Sequence, residues 1–147
     1  MIELVSKKEE IEHLLEEMKN VFNPPLTTRI SNLSEYAEKL AKFANVYYSI
    51  LDGEVCDFIC FYNNDDDSKI AYISQLAVKE RFQGKGIGQN LLDKCVEIAK
   101  KTNRVAIELE VDDENEKAIS FYKKNGFVFI GKRTEFQSHH MRKIISW

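Results

Sequence analysis

The chain has 147 residues, a length that suits one domain, since domains usually contain roughly 100–200 residues. Its composition, 44% hydrophobic and 31% charged, is that of a folded globular protein and excludes a disordered or fibrous chain. The net charge of -3 argues against a dedicated nucleic-acid-binding domain, which would normally be basic, and no stretch reaches the roughly 18 apolar residues of a membrane span.

The N-terminus and the cysteines bear on where the protein works. Residues 1–10 lack the basic start and the longer apolar run of a signal peptide, so we expect a cytoplasmic protein. The cysteines, Cys56, Cys60 and Cys95, do not suggest a disulfide framework, and no nearby histidine completes a zinc site with the first two. We therefore expect cysteines that pack as small buried residues, and no metal.

The first part of the chain is predicted to form two helices. A capping-box pattern begins at Ser6, and apolar residues at helical spacing continue to about residue 22. A second helix is predicted over residues 34–43. Pro24 and Pro25 lie between the two and exclude one continuous helix.

The middle of the chain changes to β-rich sequence. Runs at residues 46–51 and 55–62 flank Asp52 and Gly53, a pair that strongly favours a β-hairpin. After a polar turn, a third strand is predicted over residues 70–78. These three runs predict an antiparallel unit.

The remaining elements alternate between helix and strand. A helix is predicted over residues 87–101, a strand over 105–111, and a second helix from about residue 112 to Gly126. Two final strands are predicted over residues 127–130 and 136–145. Hairpins combined with β-α-β crossovers indicate a mixed sheet with helices on its faces.

A glycine-rich loop lies between the third strand and the helix that follows it. Its residues are Gln83, Gly84, Lys85, Gly86, Ile87 and Gly88. Glycines allow close approach of a ligand, and the N–H groups at a helix start bind phosphate. The pattern departs from a dinucleotide fingerprint at Gln89, and a tight structural turn is the alternative.

Two further features favour a functional loop. Lys79, Arg81 and Lys85 surround it with only Glu80 opposing them in sequence, which gives a local charge of about +2. On the later helix, spacings of three and four residues place Asn115, Ala118 and Tyr122 on one face. We regard Tyr122 as a candidate proton donor.

Together these segments resemble the GNAT superfamily of acyl-CoA-dependent N-acetyltransferases. The resemblance covers about residues 70–130 and consists of Leu76, Ala77 and Val78, the glycine loop, and the pattern from Asn115 to Phe127. It implies one domain over residues 1–147 with an α+β (α/β) fold. The expected sheet is mixed, mostly antiparallel and of six to seven strands, with helices on both faces and a splayed central strand pair. The usual first strand of the family would have to fit within residues 2–5, which is a short segment.

The resemblance also implies a site for acetyl-CoA as co-substrate. The backbone N–H groups of residues 83–88 would hold the pyrophosphate, and Leu76, Ala77 and Val78 would bind the pantetheine arm like an added strand. The N–H of Val78 would stabilise the oxyanion, and Tyr122 would protonate the leaving thiolate. Asn115 would hydrogen-bond the pantetheine or cap its own helix.

The general base and the acceptor are less defined by sequence. Some family members place a glutamate on the strand over residues 70–78, where this chain has Tyr72. Glu108 and Glu110 share one face of the next strand and either act through water or are simply exposed. Since no nucleophile constellation is present, direct attack in a ternary complex is favoured over an acyl-enzyme.

The acceptor is expected to be a primary amine of a small molecule, such as an amino sugar or sugar nucleotide. Arg29 is a candidate for binding an anionic group of that acceptor. A protein or peptide amine is the alternative acceptor, and a non-catalytic acyl-CoA-binding module is the alternative function. We expect a monomer or homodimer with neither a nucleic-acid nor a membrane partner.

Overall fold

Seven strands form one mixed sheet in the computed structural model, which describes residues 2–22 and 25–146. The sheet order is β1-β2-β3-β4-β5-β7-β6, and among these strands only the neighbours β4 and β5 are parallel. This confirms the expected mixed, mostly antiparallel sheet. The strands are β1 (Ile2–Val5), β2 (Ala44–Leu51), β3 (Glu54–Tyr62), β4 (Ile70–Val78), β5 (Ala106–Asp112), β6 (Val128–Arg133) and β7 (Ser138–Ile144).

Helices cover both faces of the sheet, as expected. Alternate residues of β3 face opposite sides, so that Phe58 and Cys60 join one core cluster and Ile59 and Phe61 join the other. The first cluster is completed by the N-terminal helices and the second by the helices that follow β4 and β5. The helices are α1 (Lys8–Met18), α2 (Leu26–Arg29), α3 (Leu33–Phe43), α4 (Ile87–Lys101) and α5 (Glu116–Lys124).

In the N-terminal part, one short segment forms the expected first strand and two features differ from the sequence prediction. The short segment Ile2–Val5 does form a strand, because all four residues pair with β2. The predicted capping box at Ser6 is wrong, since Lys7 is the N-cap and makes no side-chain capping bond. The helix α2 was missed because four residues are too few for a periodic pattern to appear. The predictions on residues 23 and 24 lie outside the described residues.

An extra residue in β4 separates the two central strands. Cys60 pairs with Gln75 and Phe61 with Ile73, so Ser74 has no partner of its own in β3. A β-bulge of this kind bends the strand that carries it. The parallel register with β5 runs from Ile70 to Ile73 and ends there, so that residues 74–78 diverge from β5. The predicted splayed central pair is thereby confirmed.

The cysteines and the helix lengths agree with the composition. Cys56, Cys60 and Cys95 are free thiols buried in the structure, as predicted. Within residues 2–22 and 25–146, no helix combines the length and the apolar character that a membrane span needs.

Candidate active site

A cleft of about 620 Å³ opens where β4 and β5 separate. Its sides come from the diverging strands and from α5, and its mouth lies between the N-terminal layer and the segment before β7. The lining includes Ser74, Leu76, Glu110, Asp112 and Tyr122, with Phe22, Arg29 and Phe136 at the mouth. The volume falls in the range of roughly 300–1,000 Å³ that is typical of small-molecule sites.

The backbone of β4 offers hydrogen-bond donors to the open side of the splay. The N–H of Lys79 donates to the carbonyl of Cys56 at 2.9 Å, in the same register that pairs Val78 with Asp57. In an antiparallel ladder the bonded and outward-facing residues alternate, so the N–H groups of Val78 and Leu76 point away from β3. These two groups form an exposed edge on which an extended ligand can pair.

The glycine loop is shaped to approach a ligand closely. Gly84 and Gly86 have positive φ values of 77° and 80°, and a Cβ at either position would meet only open space. Gly86 is the N-cap of α4, and because glycine has no side chain it offers no capping acceptor to the first N–H groups of the helix. An anion placed before this loop would meet both the free N–H groups and the positive end of the helix dipole.

Two close contacts fix the loop against the end of β4. The side chain of Gln83 donates to the carbonyl of Val78 at 3.0 Å, and its backbone N–H donates to Glu80 at 3.2 Å. A Cβ added to Gly88 would lie 3.0 Å from Cγ2 of Val78. Gln83 thus supports the loop through its own bonds, whereas the backbone N–H groups from Gly84 to Gly88 have no acceptor within residues 2–22 and 25–146.

The expected local charge of +2 around the loop is wrong. Lys79 lies 2.9 Å from Glu17 and 3.3 Å from Glu54, and Arg81 also pairs with Glu54. Both acidic residues are distant in sequence, which is why a local count overlooked them. Lys85 has no ion-pair partner in the described part of the chain, so it is the cation that remains for a ligand.

Tyr122 is buried on α5 and lines the cleft. The rings of Phe121 and Phe127 pack edge-on against it, each with its centroid at 5.4 Å. Burial, with a smaller contribution from Cys95, raises the pKa of the Tyr122 hydroxyl, so this group remains protonated at neutral pH. Asn115 accepts the N–H of Ala118 at 3.2 Å, which confirms the capping alternative.

Three carboxylates alternate along one face of β5, at Glu108, Glu110 and Asp112. The sequence prediction ended this strand at residue 111 and assigned Asp112 to the next helix, so the third member was missed. Each carboxylate pairs with one arginine from a different segment: Glu108 with Arg142 at 2.7 Å, Glu110 with Arg133 at 2.8 Å, and Asp112 with Arg29 at 3.1 Å. The expectation of simply exposed carboxylates at residues 108 and 110 is therefore wrong.

The two glutamates occupy different surroundings. Glu110 lines the cleft that Tyr122 also lines, and it accepts a hydrogen bond from the buried hydroxyl of Ser138 at 3.3 Å. Glu108 instead lines a second pocket of about 430 Å³, together with Tyr62 and Tyr72. Burial, followed by the charge of Glu110, raises the pKa of Tyr72 to about 12, so this tyrosine stays protonated and is unsuited to act as a base.

Gln89, the residue at which the loop departs from a dinucleotide fingerprint, makes a structural contact. Gln89 and Asn125 exchange two amide hydrogen bonds of 2.6 and 3.1 Å, and Asn125 also donates to the carbonyl of Phe121 at 2.9 Å. The pair joins the helix that begins at the glycine loop to the helix that carries Tyr122. Two amides 36 positions apart give no local signal, so sequence reasoning did not find it.

Comparisons with known proteins identify what the chain resembles. The profile of the acetyltransferase (GNAT) family matches residues 9–127. An uncharacterised N-acetyltransferase of Methanocaldococcus jannaschii is 42% identical over 72 residues, which are 49% of this chain and 30% of that protein. The L-2,4-diaminobutyric acid acetyltransferase of Vibrio parahaemolyticus is 25% identical over 97 residues, or 60% of this chain and 54% of that protein. The chain thus spans about half or less of the length of these two relatives.

Two other comparisons extend over most of the chain. A putative ribosomal protein bS18-alanine N-acetyltransferase of Bacillus subtilis is 27% identical over 120 residues, 80% of this chain and 74% of that protein. The crystal structure of the PaiA N-acetyltransferase from Thermoplasma acidophilum, in complex with coenzyme A, superposes with a TM-score of 0.77 at 23% identity. That alignment covers 98% of this chain and 99% of the other.

Proposed function

Since the chain belongs to the acetyltransferase (GNAT) family, we propose that it transfers an acetyl group from acetyl-CoA to a primary amine of a small molecule. The observation that carries this proposal is the cleft in the β4–β5 splay, where Tyr122 and Glu110 line the same space. Its volume of about 620 Å³ suits the reactive end of acetyl-CoA together with a small acceptor.

The residues present fit coenzyme A. The N–H groups from Gly84 to Gly88 and the charge of Lys85 would hold the pyrophosphate, and the space that a Cβ would occupy at Gly84 or Gly86 is open to a ligand. The outward-facing backbone at Leu76 and Val78 would pair with the pantetheine arm. Asn115 and Ala118 line the same cleft from α5.

Three groups of the chain would divide the chemistry. The N–H of Val78, which points away from β3, is the proposed donor to the oxyanion. Glu110 would accept the amine proton through water as nitrogen attacks the thioester carbon. Tyr122 would give its proton to the departing sulfur, and a proton returned from solvent would restore the hydroxyl.

Protonation states support this division of roles. The raised pKa of Tyr122 keeps the proton on the hydroxyl until a thiolate develops beside it. That thiolate would be desolvated in the same cleft, which raises its basicity too and keeps the transfer close to balanced. Glu110 is held by Arg133 and Ser138 and offers the remaining lone pairs of its carboxylate to a bridging water.

An amino sugar or sugar nucleotide is the acceptor suggested by sequence, and Arg29 at the mouth supports an acceptor that carries an anionic group. A peptide α-amine is the second candidate. It is favoured by the similarity, over 80% of this chain, to a protein named as a ribosomal protein bS18-alanine N-acetyltransferase.

The test is release of coenzyme A thiol from acetyl-CoA with a panel of amino sugars, sugar nucleotides, polyamines, amino acids and peptides. We expect thiol release that depends on one class of small amine. The rate of release should fall in the variants Tyr122→Phe and Glu110→Gln. Release with peptides alone would favour the second candidate. Calorimetric binding of acetyl-CoA without turnover across the panel would instead indicate a non-catalytic acyl-CoA-binding module.

A further inference from the structure

We infer that Arg29, held in place by Asp112, selects acceptors whose amine is accompanied by a carboxylate, such as diamino acids. This inference rests on the proposed function and narrows the acceptor of the same site. Arg29 ends α2, and Asp112 ends β5, so their contact spans the mouth of the cleft. Nη2 of Arg29 lies 3.1 and 3.3 Å from the two carboxylate oxygens of Asp112.

The guanidinium of Arg29 keeps donors available for a ligand. Among the described residues only its Nη2 has a hydrogen-bond partner, which leaves Nε and Nη1 uncommitted. By contrast, Arg133 uses Nε and Nη1, and Arg142 uses Nε and Nη2, both on carboxylates. Arg29 is also well exposed, with 62% of its side-chain surface accessible.

Asp112 supplies the orientation that a flexible arginine would otherwise lack. Fixing a long side chain at a binding site costs conformational entropy, and a pre-existing ion pair meets much of this cost before the ligand arrives. The pair therefore leaves the guanidinium with uncommitted donors on two separate edges, at Nε and at Nη1. A carboxylate oxygen can accept a charge-assisted hydrogen bond from one of these donors, and the delocalised positive charge attracts the carboxylate as a whole.

The charges of the cleft favour a carboxylate over a phosphate. The charged residues that line it are Arg29, Glu110 and Asp112, with one positive and two negative charges. Both acidic residues are paired with arginines, but a phosphate group, which carries close to two negative charges, would still meet more repulsion from them than a singly charged carboxylate would. A singly charged carboxylate on an amine-bearing molecule pairs with Arg29 while its ammonium group approaches Glu110.

The spacing of the strand sets the separation of the two acceptor groups. Glu110 and Asp112 are two residues apart on the same face of β5, which corresponds to roughly 7 Å. An ammonium beside Glu110 and a carboxylate at Arg29, just beyond Asp112, are then separated by several ångströms. A side-chain amine of a diamino acid meets this requirement better than an α-amine directly beside its carboxylate.

The experiment compares amines that differ only in the carboxylate. Lysine is compared with cadaverine and 2,4-diaminobutyrate with 1,3-diaminopropane, by initial rates of thiol release from acetyl-CoA. Glucosamine 6-phosphate and glucosamine form the phosphate arm. We expect kcat/KM to be about 10- to 100-fold higher for the carboxylated member of the better pair, the range of one charge-assisted contact.

Variants assign that preference to Arg29. Arg29→Gln is expected to reduce the ratio between paired acceptors to near one, whereas Arg29→Lys, which keeps the charge but loses the guanidinium donors, retains part of it. Lys42→Gln is the matched control, because Lys42 has a similar exposure of 64% and one ion pair on α3, away from the cleft. It should keep the full ratio.

The outcomes separate the two proposals. Equal use of the paired amines by the wild type, with thiol release intact, would overturn the carboxylate inference and leave the proposed function standing. A preference for the sugar phosphate, or a ratio that survives in Arg29→Gln, would overturn it as well. Absence of turnover with every amine would overturn the proposed function and this inference together. The wild-type ratio needs no variant, so a folding defect in Arg29→Gln would not shield the inference from refutation.

Discussion

Asp57 is a buried carboxylate whose ionisation should oppose folding. It lies on β3 with no accessible surface, and its Oδ1 accepts the backbone N–H of Ser49 at 3.1 Å. That N–H is available to the side chain of Asp57 because the register between β2 and β3 shifts between Ser49 and Ile50. Its Oδ2 has no hydrogen-bond partner within the described ranges. Burial, only partly offset by the hydrogen bonds from Ser49, raises the pKa of Asp57 from 3.8 to about 6.

The sign of the effect follows from this raised pKa. Between pH 4 and pH 6 the folded state holds its proton more tightly than the unfolded state, so the stability contributed by this group falls as pH rises. At about 1.4 kcal/mol per pKa unit, the contribution of Asp57 to stability should fall by roughly 2–3 kcal/mol between pH 4 and pH 8. Asp57→Asn carries no charge at any pH, and its amide oxygen can still accept the Ser49 N–H.

The assay is urea unfolding of wild type and Asp57→Asn at several values between pH 4 and pH 8. The free-energy difference in favour of the variant should grow by roughly 2–3 kcal/mol across this range, whatever constant offset the new amide introduces. Asp52→Asn is the control, since Asp52 is an exposed carboxylate of the same hairpin at a positive φ that asparagine tolerates. If the Asp57→Asn and wild-type profiles run parallel, the reasoning about the buried charge is refuted.

Three further predictions concern the proposed acid Tyr122, the glycine loop and the turn between β3 and β4. Tyr122→Phe should lower kcat about 100-fold with little change in the KM for acetyl-CoA, because the packed ring remains while the proton donor is lost; an unchanged kcat would remove the acid role. Gly88→Ala should weaken acetyl-CoA binding measured by calorimetry, because its Cβ would press on Val78 at 3.0 Å, whereas Gly131→Ala, with its nearest contact at 4.0 Å, should bind normally. Equal affinities in these two variants would contradict the close packing. Arg104→Lys should lower the free energy of unfolding in urea by roughly 1–3 kcal/mol, because all three guanidinium nitrogens of this buried arginine bind the turn at residues 63–66. A decrease below about 0.5 kcal/mol, the usual size of a neutral surface change, would show that the turn does not depend on Arg104.

The local parts of the site were predictable from sequence because their signals are local. The glycines before α4 predict positive φ values and an uncapped helix start. Helical geometry alone predicts that Asn115 and Tyr122 lie on one face of α5. The roles proposed for Val78 and Tyr122 came from the family resemblance, and these stay predictions. Short elements failed for the opposite reason, since α2 has too few residues to show a period.

What sequence could not supply is the pairing of distant charges. The neutralisation of Lys79 and Arg81 by Glu54 depends on β3 lying beside the end of β4. The contact of Arg29 with Asp112 joins positions 83 apart, and a one-residue error at the end of β5 had placed Asp112 in a helix. Charge counts along a chain become reliable only when the fold has decided which segments meet.

The whole candidate site depends on the β-bulge at Ser74. With it, β4 bends away from β5, and the N–H groups of Leu76 and Val78 face a cleft where a continued parallel ladder would have used them. Unpaired strand edges normally invite association with other chains. Here residues of α5 and of the N-terminal layer line the same cleft, an arrangement that suits a thin, extended ligand. The same divergence exposes Glu110 and Asp112 to the cleft, while Glu108, opposite Tyr72 where the ladder is still intact, faces a separate pocket. One inserted residue thus creates the backbone edge that would bind acetyl-CoA and also determines which carboxylates can meet the acceptor amine.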